Sequence, residues 1–203
     1  MPSLTRRPAA AGHRSAAEAK ILEATERLLA DGASFTELGV QRIAAEAGIG
    51  RTTFYVHFAD KTALLLRLID QVVARAFELT EADLANGPDA LVASMVDIVH
   101  HWRKNWYLLA ATLEAIGYDP AVREFWDGQL QQFIDRAEKY LREAQEAGQT
   151  SMTLSAPTAA RLFIYGGMQT LTRQILNGPE DQDEVVAREI ALIVWQGAFR
   201  RQD

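Results

Sequence analysis

The chain has 203 residues, which is enough for one helical domain or for a small domain joined to a larger one, and 48% of them are hydrophobic. It contains no cysteine, which excludes disulfides and thiolate zinc sites. The net charge of −6 is unevenly distributed: residues 1–61 hold eight Lys and Arg against seven Asp and Glu, and the remainder holds thirteen against twenty. The N-terminal part is therefore the part suited to contact a nucleic acid.

Hydrophobic runs in the sequence are short. The longest, around residues 63–66, is bounded by charged residues, and no apolar run follows Arg6 and Arg7 as a secretion signal would require. We therefore expect a cytoplasmic protein that has no membrane partner.

The first 30 residues divide into an arm and a helix. Residues 1–14 carry three arginines and no acidic residue, and we interpret them as a flexible basic arm, either a solubilising tail or a segment that reaches DNA. Ser15, with Glu18 three residues later, predicts the start of the first helix. Apolar residues at helical spacing from Ile21 to Leu29 predict its buried face.

Residues 40–61 contain the pattern with the clearest functional meaning. Apolar residues between Val40 and Ala47 are spaced as on one face of a short helix, and Gly48 can turn the chain after it. Phe54 and Phe58, four residues apart, begin the buried face of a second helix. Two short helices joined by a glycine turn form a helix-turn-helix, whose second helix enters the DNA major groove.

The rest of the sequence is also helical in its pattern. Asp60 predicts the N-cap of a fourth helix of about twenty residues, which ends before a break at residues 86–88. Helices are predicted from 88 to about 104, from there to 116, from 120 to about 148, from 155 to 177 and from 183 to 200. No segment alternates as a strand would. The predicted fold class is all-α, with about nine helices.

The helix-turn-helix stretch resembles the DNA-binding signature of the TetR family of bacterial transcriptional repressors. The matching residues are Ile43-Ala44, Ala47-Gly48-Ile49, Thr53-Phe54-Tyr55, His57-Phe58, Lys61 and Ala63-Leu64-Leu65. The chain departs from the family in having Gly39 and Gly50 where Ser or Thr commonly caps the two helices. The resemblance implies a DNA-binding domain at residues 15–61 and a ligand-binding and dimerisation domain at residues 62–203.

Several polar residues of this stretch are candidates for DNA contact. Arg51 suits a guanine edge or a phosphate, and Thr52 suits a phosphate or a thymine methyl. The resemblance adds phosphate contacts from Tyr55 and His57, and the N-terminus of the fourth helix adds Lys61. The full predicted set is Arg42, Gly50, Arg51, Thr52, Thr53, Tyr55, His57 and Lys61.

The larger domain is rich in aromatic residues at helical spacing. They either fill a solid core or line a cavity. The pair Phe54-Tyr55, Trp126 followed by Phe133-Ile134, and Trp195 in the last helix resemble the ethionamide-resistance regulators within the family. This resemblance implies a cavity for a hydrophobic or aromatic effector. The predicted ligand-binding residues are Met95, Val99, Trp102, Trp106, Phe125, Trp126, Phe133, Tyr165, Met168 and Trp195.

The last two helices are the candidate dimer interface. The final helix is apolar over an arc too wide for one buried face, so it is either wholly internal or packed against a second subunit. In the family the last two helices of two subunits form the homodimer. The predicted interface residues are Gly166, Gly167, Val186, Ile190, Ile193, Val194 and Gly197.

These patterns predict a ligand-responsive regulator that binds a palindromic double-stranded DNA operator as a homodimer, acts as a repressor and is released by a small apolar or aromatic effector. No enzyme motif and no cofactor are predicted. No metal site is predicted either, because the adjacent His100 and His101 point about 100° apart on a helix and could not easily share an ion. The alternatives are a helical ligand carrier, or a helical enzyme or metal-binding protein, without an operator.

Overall fold

The computed structural model describes residues 16–79 and 86–199, except the side chains of residues 77–79. The described part is all-α, as predicted, and contains no strand. Its helices are α1 (Ala16–Ala30), α2 (Val40–Glu46), α3 (Arg51–His57), α4 (Lys61–Leu79), α5 (Pro88–Lys104), α6 (Trp106–Ile116), α7 (Pro120–Glu146), α8 (Ala156–Asn177) and α9 (Asp183–Phe199). The predicted basic arm, the Ser15 cap and Arg200 lie outside these ranges. No helix within them has the length and apolarity needed to cross a bilayer.

The N-terminal helices form a compact support for α3, and we call residues 16–60 the helix-turn-helix unit. The apolar face predicted for α1 is buried, and Phe35 and Leu38 of the following loop belong to the same buried cluster as residues of α1, α2 and α3. One cluster of buried residues continues from this unit through α4 to α9. The unit therefore shares its core with the rest of the protein.

The remaining helices form the body of the molecule. Helix α5 packs along α9, α7 packs along α8, and α4 contacts α5, α6 and α7. A second, smaller cluster of buried residues joins α7, α8 and α9 near Leu141, Leu154 and Ala198. The body is thus a layered bundle in which α4 is the helix that leads to the helix-turn-helix unit.

A buried ion pair connects three helices of the body. Arg103, at the end of α5, donates from Nε to Asp183 Oδ2 at 2.7 Å and from Nη2 to Asp183 Oδ1 at 2.5 Å. Its guanidinium also donates to the carbonyls of Gln174 and Ile175 in the last turn of α8 and to that of Gly178 just after the helix. Asp183 is only 2% exposed, so this pair fixes the start of α9 against α5 and α8.

Two glycines of the α2–α3 turn make a matched test of backbone conformation. A Cβ added to either Gly48 or Gly50 would meet no atom within 4 Å, but Gly48 has φ +66° and Gly50 has φ −79°. Gly50→Ser should stabilise the protein by up to about 1 kcal/mol, because it adds an N-cap hydroxyl and restricts the unfolded chain. Gly48→Ser should destabilise it by about 1–2 kcal/mol, because a side chain disfavours the left-handed region. Equal effects in urea unfolding would contradict this assignment.

Candidate functional site

Helices α2 and α3 meet at the predicted glycine turn. Gly48 donates to the carbonyl of Ala45 at 3.1 Å, and Ile49 donates to that of Ala44 at 2.9 Å, which closes the end of α2. Phe54 and Phe58 are buried with their ring centroids 5.8 Å apart. These contacts hold α3 on the core by one face and leave the opposite face in solvent.

The solvent face of α3 carries the predicted contact residues. Arg51, Thr52 and Tyr55 are exposed, Thr53 and His57 are half-buried, and Arg42 is exposed on α2. Gly50 precedes α3 as its N-cap and supplies no side-chain hydrogen bond. The sequence interpretation missed Val56, an apolar residue of α3 that is 75% exposed.

Lys61 has a structural role that the sequence interpretation did not anticipate. Its Nζ donates to the carbonyls of Phe35 at 2.9 Å and Thr36 at 2.8 Å, and it lies 4.9 Å from the centroid of the Phe35 ring. Two of the three N–H donors of the ammonium are thereby used inside the protein. One N–H donor is left for a phosphate. A DNA contact by Lys61 therefore stays a prediction, limited to a single hydrogen bond. Asp60 caps α4 as predicted, by accepting from the Ala63 amide at 2.8 Å.

The body contains a cavity of about 180 Å³ between α4, α5, α7, α8 and α9. Its wall is mainly aliphatic and aromatic. The rings of Trp102 and Trp126 meet edge to face there, with centroids 6.1 Å apart. Five of the predicted ligand-binding residues lie on this wall: Met95, Trp102, Trp126, Phe133 and Met168.

The other five predicted ligand-binding residues do not line the cavity. Val99 is fully buried in the core, and Phe125 packs against that core from one side. Trp106 and Tyr165 are exposed, and Trp195 stacks on Phe199 at 4.5 Å. Helical spacing identifies aromatic residues near a common face, but the direction in which each side chain points depends on the neighbouring helices.

Most of the polar side chains on the cavity wall come from one helix. Gln129, Arg136 and Tyr140 are spaced seven and four residues apart, so they share one face of α7, and Ser94 of α5 is the fourth. Burial raises the pKa of the Tyr140 phenol, and the nearby charge of Glu143 adds to this, so the hydroxyl remains a donor at neutral pH. The sequence interpretation missed these residues, since each reads as part of a solvated helix face.

The predicted interface residues of α8 and α9 divide between two faces. Ile190 and Val194 line the cavity, Val186 packs on the core, and Gly167 would contact Ile190 at 3.6 Å through an added Cβ. These four positions face the interior of the subunit, although they were predicted for the dimer interface. Gly166, Ile193 and Gly197 are exposed. The outer face also presents Leu162, Tyr165 and Val185, which are all more than half exposed.

The adjacent histidines are occupied by other contacts. His101 Nε2 lies 2.9 Å from the carbonyl of Val72, and His100 Nε2 lies 3.7 Å from Glu184 Oε1. Across residues 16–79 and 86–199, no group of three or more potential metal ligands is brought together.

Comparison with known proteins agrees with this architecture in both parts of the chain. Residues 21–68 match the family described as "Bacterial regulatory proteins, tetR family". Residues 91–197 match "Transcriptional regulator EthR, C-terminal domain". The chain is 32% identical over 143 residues to the HTH-type transcriptional regulator EthR of Mycolicibacterium smegmatis, a match that covers 68% of this chain and 65% of that protein. It is 29% identical over 189 residues to EthR of Mycobacterium tuberculosis, covering 88% and 84% respectively.

The fold is also that of solved regulators. SmeT in complex with triclosan superposes with a TM-score of 0.73 at 18% identity, over 91% of this chain and 92% of that one. SmeT is described as the repressor of the Stenotrophomonas maltophilia multidrug efflux pump SmeDEF. A helix-turn-helix on an all-α body defines a class of transcriptional regulators. This chain belongs to the TetR family of that class, and its C-terminal domain is of the EthR type.

Proposed function

We propose that this protein is a cytoplasmic repressor that binds a palindromic operator as a homodimer and is released by a small apolar or aromatic effector. The observation that carries the proposal is the combination of a solvent-facing α3, held on the core by Phe54 and Phe58, with an apolar cavity in the same body. Residues 15–61 would bind DNA, and residues 62–203 would bind ligand and a second subunit. Selection of duplexes from a random-sequence pool tests the proposal, because a homodimeric reader should recover palindromic sites.

The solvent face of α3 has the chemistry of a major-groove reader. Arg51 and Thr52 stand at its N-terminal end, where a recognition helix contacts base edges, and Arg42 and Tyr55 flank them as phosphate contacts. We add Val56 to the predicted set, because an exposed valine is suited to contact a thymine methyl group. Thr53, His57 and the remaining donor of Lys61 complete the proposed contacts to the backbone.

The cavity wall favours an effector that is mostly apolar and carries one polar group. The polar residues Gln129, Arg136 and Tyr140 on one face of α7 would orient that group, and the remaining wall would enclose the apolar part. The similar fold of SmeT was solved in complex with the small molecule triclosan. A cavity of about 180 Å³ suits a small ligand of this kind.

Filling the cavity should abolish effector binding. Met168→Trp places an indole into the space, whereas Met152→Trp makes the same change at an exposed residue of the α7–α8 connection that lies off the cavity wall. We expect the fluorescence enhancement of 1-anilinonaphthalene-8-sulfonate to be lost in Met168→Trp and kept in Met152→Trp. Full enhancement in both variants would locate the probe elsewhere and would contradict the cavity as the effector site.

The outer face of α8 and α9 is proposed as the dimer interface. Leu162, Tyr165, Val185 and Ile193 are large apolar side chains that are all more than half exposed on these two helices. Several large apolar side chains exposed on two adjacent helices commonly mark a contact with another protein. Gly166 and Gly197 lie among them and would allow close approach of two backbones.

A charge on this face should dissociate the dimer. Ile193 is 65% exposed, and Met152, in the α7–α8 connection, is similarly exposed but lies outside the proposed interface. Ile193→Asp would bury an unpaired carboxylate at the interface, so we expect sedimentation to report a monomer, while Met152→Asp remains dimeric. A dimeric Ile193→Asp would mean that the subunits meet through another surface.

A ligand carrier without an operator is the second candidate function, because the cavity alone would serve it. Arg42 of α2 and Arg51 of α3 are exposed cations that suit DNA binding and that a ligand carrier would not need. Failure to enrich any duplex from the random pool would favour the carrier over the repressor.

A further inference from the structure

The corner between α6 and α7, residues 114–119, holds the α1–α2 loop of the helix-turn-helix unit. Glu114, near the end of α6, accepts hydrogen bonds from the Ser34 hydroxyl at 2.6 Å, the Phe35 amide at 3.1 Å and the Thr36 amide at 2.8 Å. Burial raises the pKa of Glu114, but these hydrogen bonds outweigh it and leave the pKa below its ordinary value. The loop is therefore fixed by a carboxylate that belongs to the body.

The same corner holds the start of α4. Asp119 Oδ2 accepts from the Thr62 hydroxyl at 2.6 Å, while its Oδ1 caps α7 through the amides of Ala121 and Val122. The bond from Thr62 is the main reason that the pKa of Asp119 is low. Lys61, the neighbour of Thr62, donates to two carbonyls of the α1–α2 loop. Glu114 accepts from the amides of the same two loop residues.

Helix α7 connects this corner with the cavity. Trp126 follows Asp119 by seven residues, which is two helical turns or roughly 10 Å. Trp126 and several later residues of α7 line the cavity, whereas no residue of α6 does. A displacement of α7 at the cavity would thus move the N-cap that binds Thr62 and the adjoining Glu114.

We propose that the α6–α7 corner is the joint that sets the orientation of the helix-turn-helix unit on the body, with Glu114 and Asp119 as positioning residues. Occupation of the cavity would reorient the unit by moving α7 and this corner, in addition to any movement of α4 itself. The link to the cavity rests on the proposed function, while the role of the corner as a joint does not.

Electron paramagnetic resonance can measure the orientation directly, since the chain has no cysteine that would react with a spin label. Labels at Gln41→Cys on α2 and Lys139→Cys on α7 occupy exposed positions of the unit and of the body. Mixing with excess unlabelled protein suppresses distances between subunits. We expect one narrow distance in the parent and loss of that single distance in the Thr62→Val/Glu114→Gln double variant.

The control variant makes the same chemical changes away from the corner. Thr153→Val removes a hydroxyl that contacts Ser151 in the α7–α8 connection, and Glu138→Gln neutralises a carboxylate that pairs with Arg142 on α7. This control should keep the parent distance. If the double variant loses helicity, the single variants Ser34→Ala and Thr62→Val replace it. Ser34→Ala removes the bond to Glu114 together with a weak one from the Glu37 amide, and Thr62→Val removes the bond to Asp119. A parent-like distance in the folded corner variants overturns the proposal.

A second arm of the experiment tests the link to the cavity. Saturating 1-anilinonaphthalene-8-sulfonate should shift the distance in the parent, and the shift should be lost in the corner variant although the probe still binds. Binding to the parent without a shift would refute the link. Neither arm of the experiment uses DNA. A negative result in either arm can therefore be told apart from a failure to select an operator, which would count against the proposed function.

Discussion

Asp183→Ala should destabilise the protein by about 3–5 kcal/mol, because it leaves the largely buried guanidinium of Arg103 without its carboxylate. For a chain of this length, each kcal/mol lowers the melting temperature by roughly 2–4 °C, so calorimetry should detect a large shift. Asp135→Ala is the control, since that exposed carboxylate accepts a single hydrogen bond, from Gln131, and should change little. A loss below about 1 kcal/mol in Asp183→Ala would mean that the pair does not hold the three helices together.

The ion pair also predicts an acid dependence of stability. The Arg103 guanidinium lowers the pKa of the Asp183 carboxyl, and the hydrogen bond from Gln174 adds to this against the opposing effect of burial. The stabilisation is therefore complete above the unfolded pKa of about 3.9 and is lost as the pH falls through the lower folded value. The stability difference between the parent and Asp183→Asn should be constant near neutrality and should shrink below about pH 4.

Arg51→Ala should cause the largest loss of operator affinity among single substitutions in α3. A bidentate contact to guanine contributes about 1–3 kcal/mol, and the proposed homodimer would make it twice, so affinity should fall by roughly thirtyfold or more. Because Arg51 is exposed, the variant should have the same free energy of unfolding as the parent. Gel-shift titration against the selected duplex and against random DNA measures the effect.

Arg142→Ala controls for the loss of one positive charge. Arg142 is an exposed residue of α7 whose ion pair with Glu138 lies away from α3. It should leave operator affinity unchanged. If Arg51→Ala instead weakens selected and random duplexes equally, Arg51 binds a phosphate and does not read a base. Unchanged affinity would remove Arg51 from the interface.

The helix-turn-helix could be predicted because its signals are local. Apolar spacing, the turn at Gly48 and the pair of Phe54 and Phe58 all act within twenty residues, and the structure confirms each one. The Asp60 cap likewise depends on a residue and an amide three positions apart. Local patterns of this kind determine helix type and the buried face before any tertiary contact is known.

Features that depend on contacts distant in sequence were not predictable. Arg103 and Asp183 are 80 residues apart, and each reads alone as a solvated charge. Helix α9 is apolar on two sides, so periodicity could not decide that Ile190 faces the cavity while Ile193 faces solvent. Met95 and Val99 share a helix face, yet only Met95 reaches the cavity, because neighbouring helices close over Val99.

The most direct test of an operator-reading α3 is fluorescence anisotropy of the purified protein with its selected palindromic duplex across a salt series. We expect affinity to fall linearly on a double-logarithmic plot as salt rises, and to exceed that for random DNA by roughly a thousandfold or more. Addition of an apolar ligand that occupies the cavity should then release the duplex. Equal affinity for selected and random DNA at every salt concentration would contradict the assignment of α3 as an operator-reading helix.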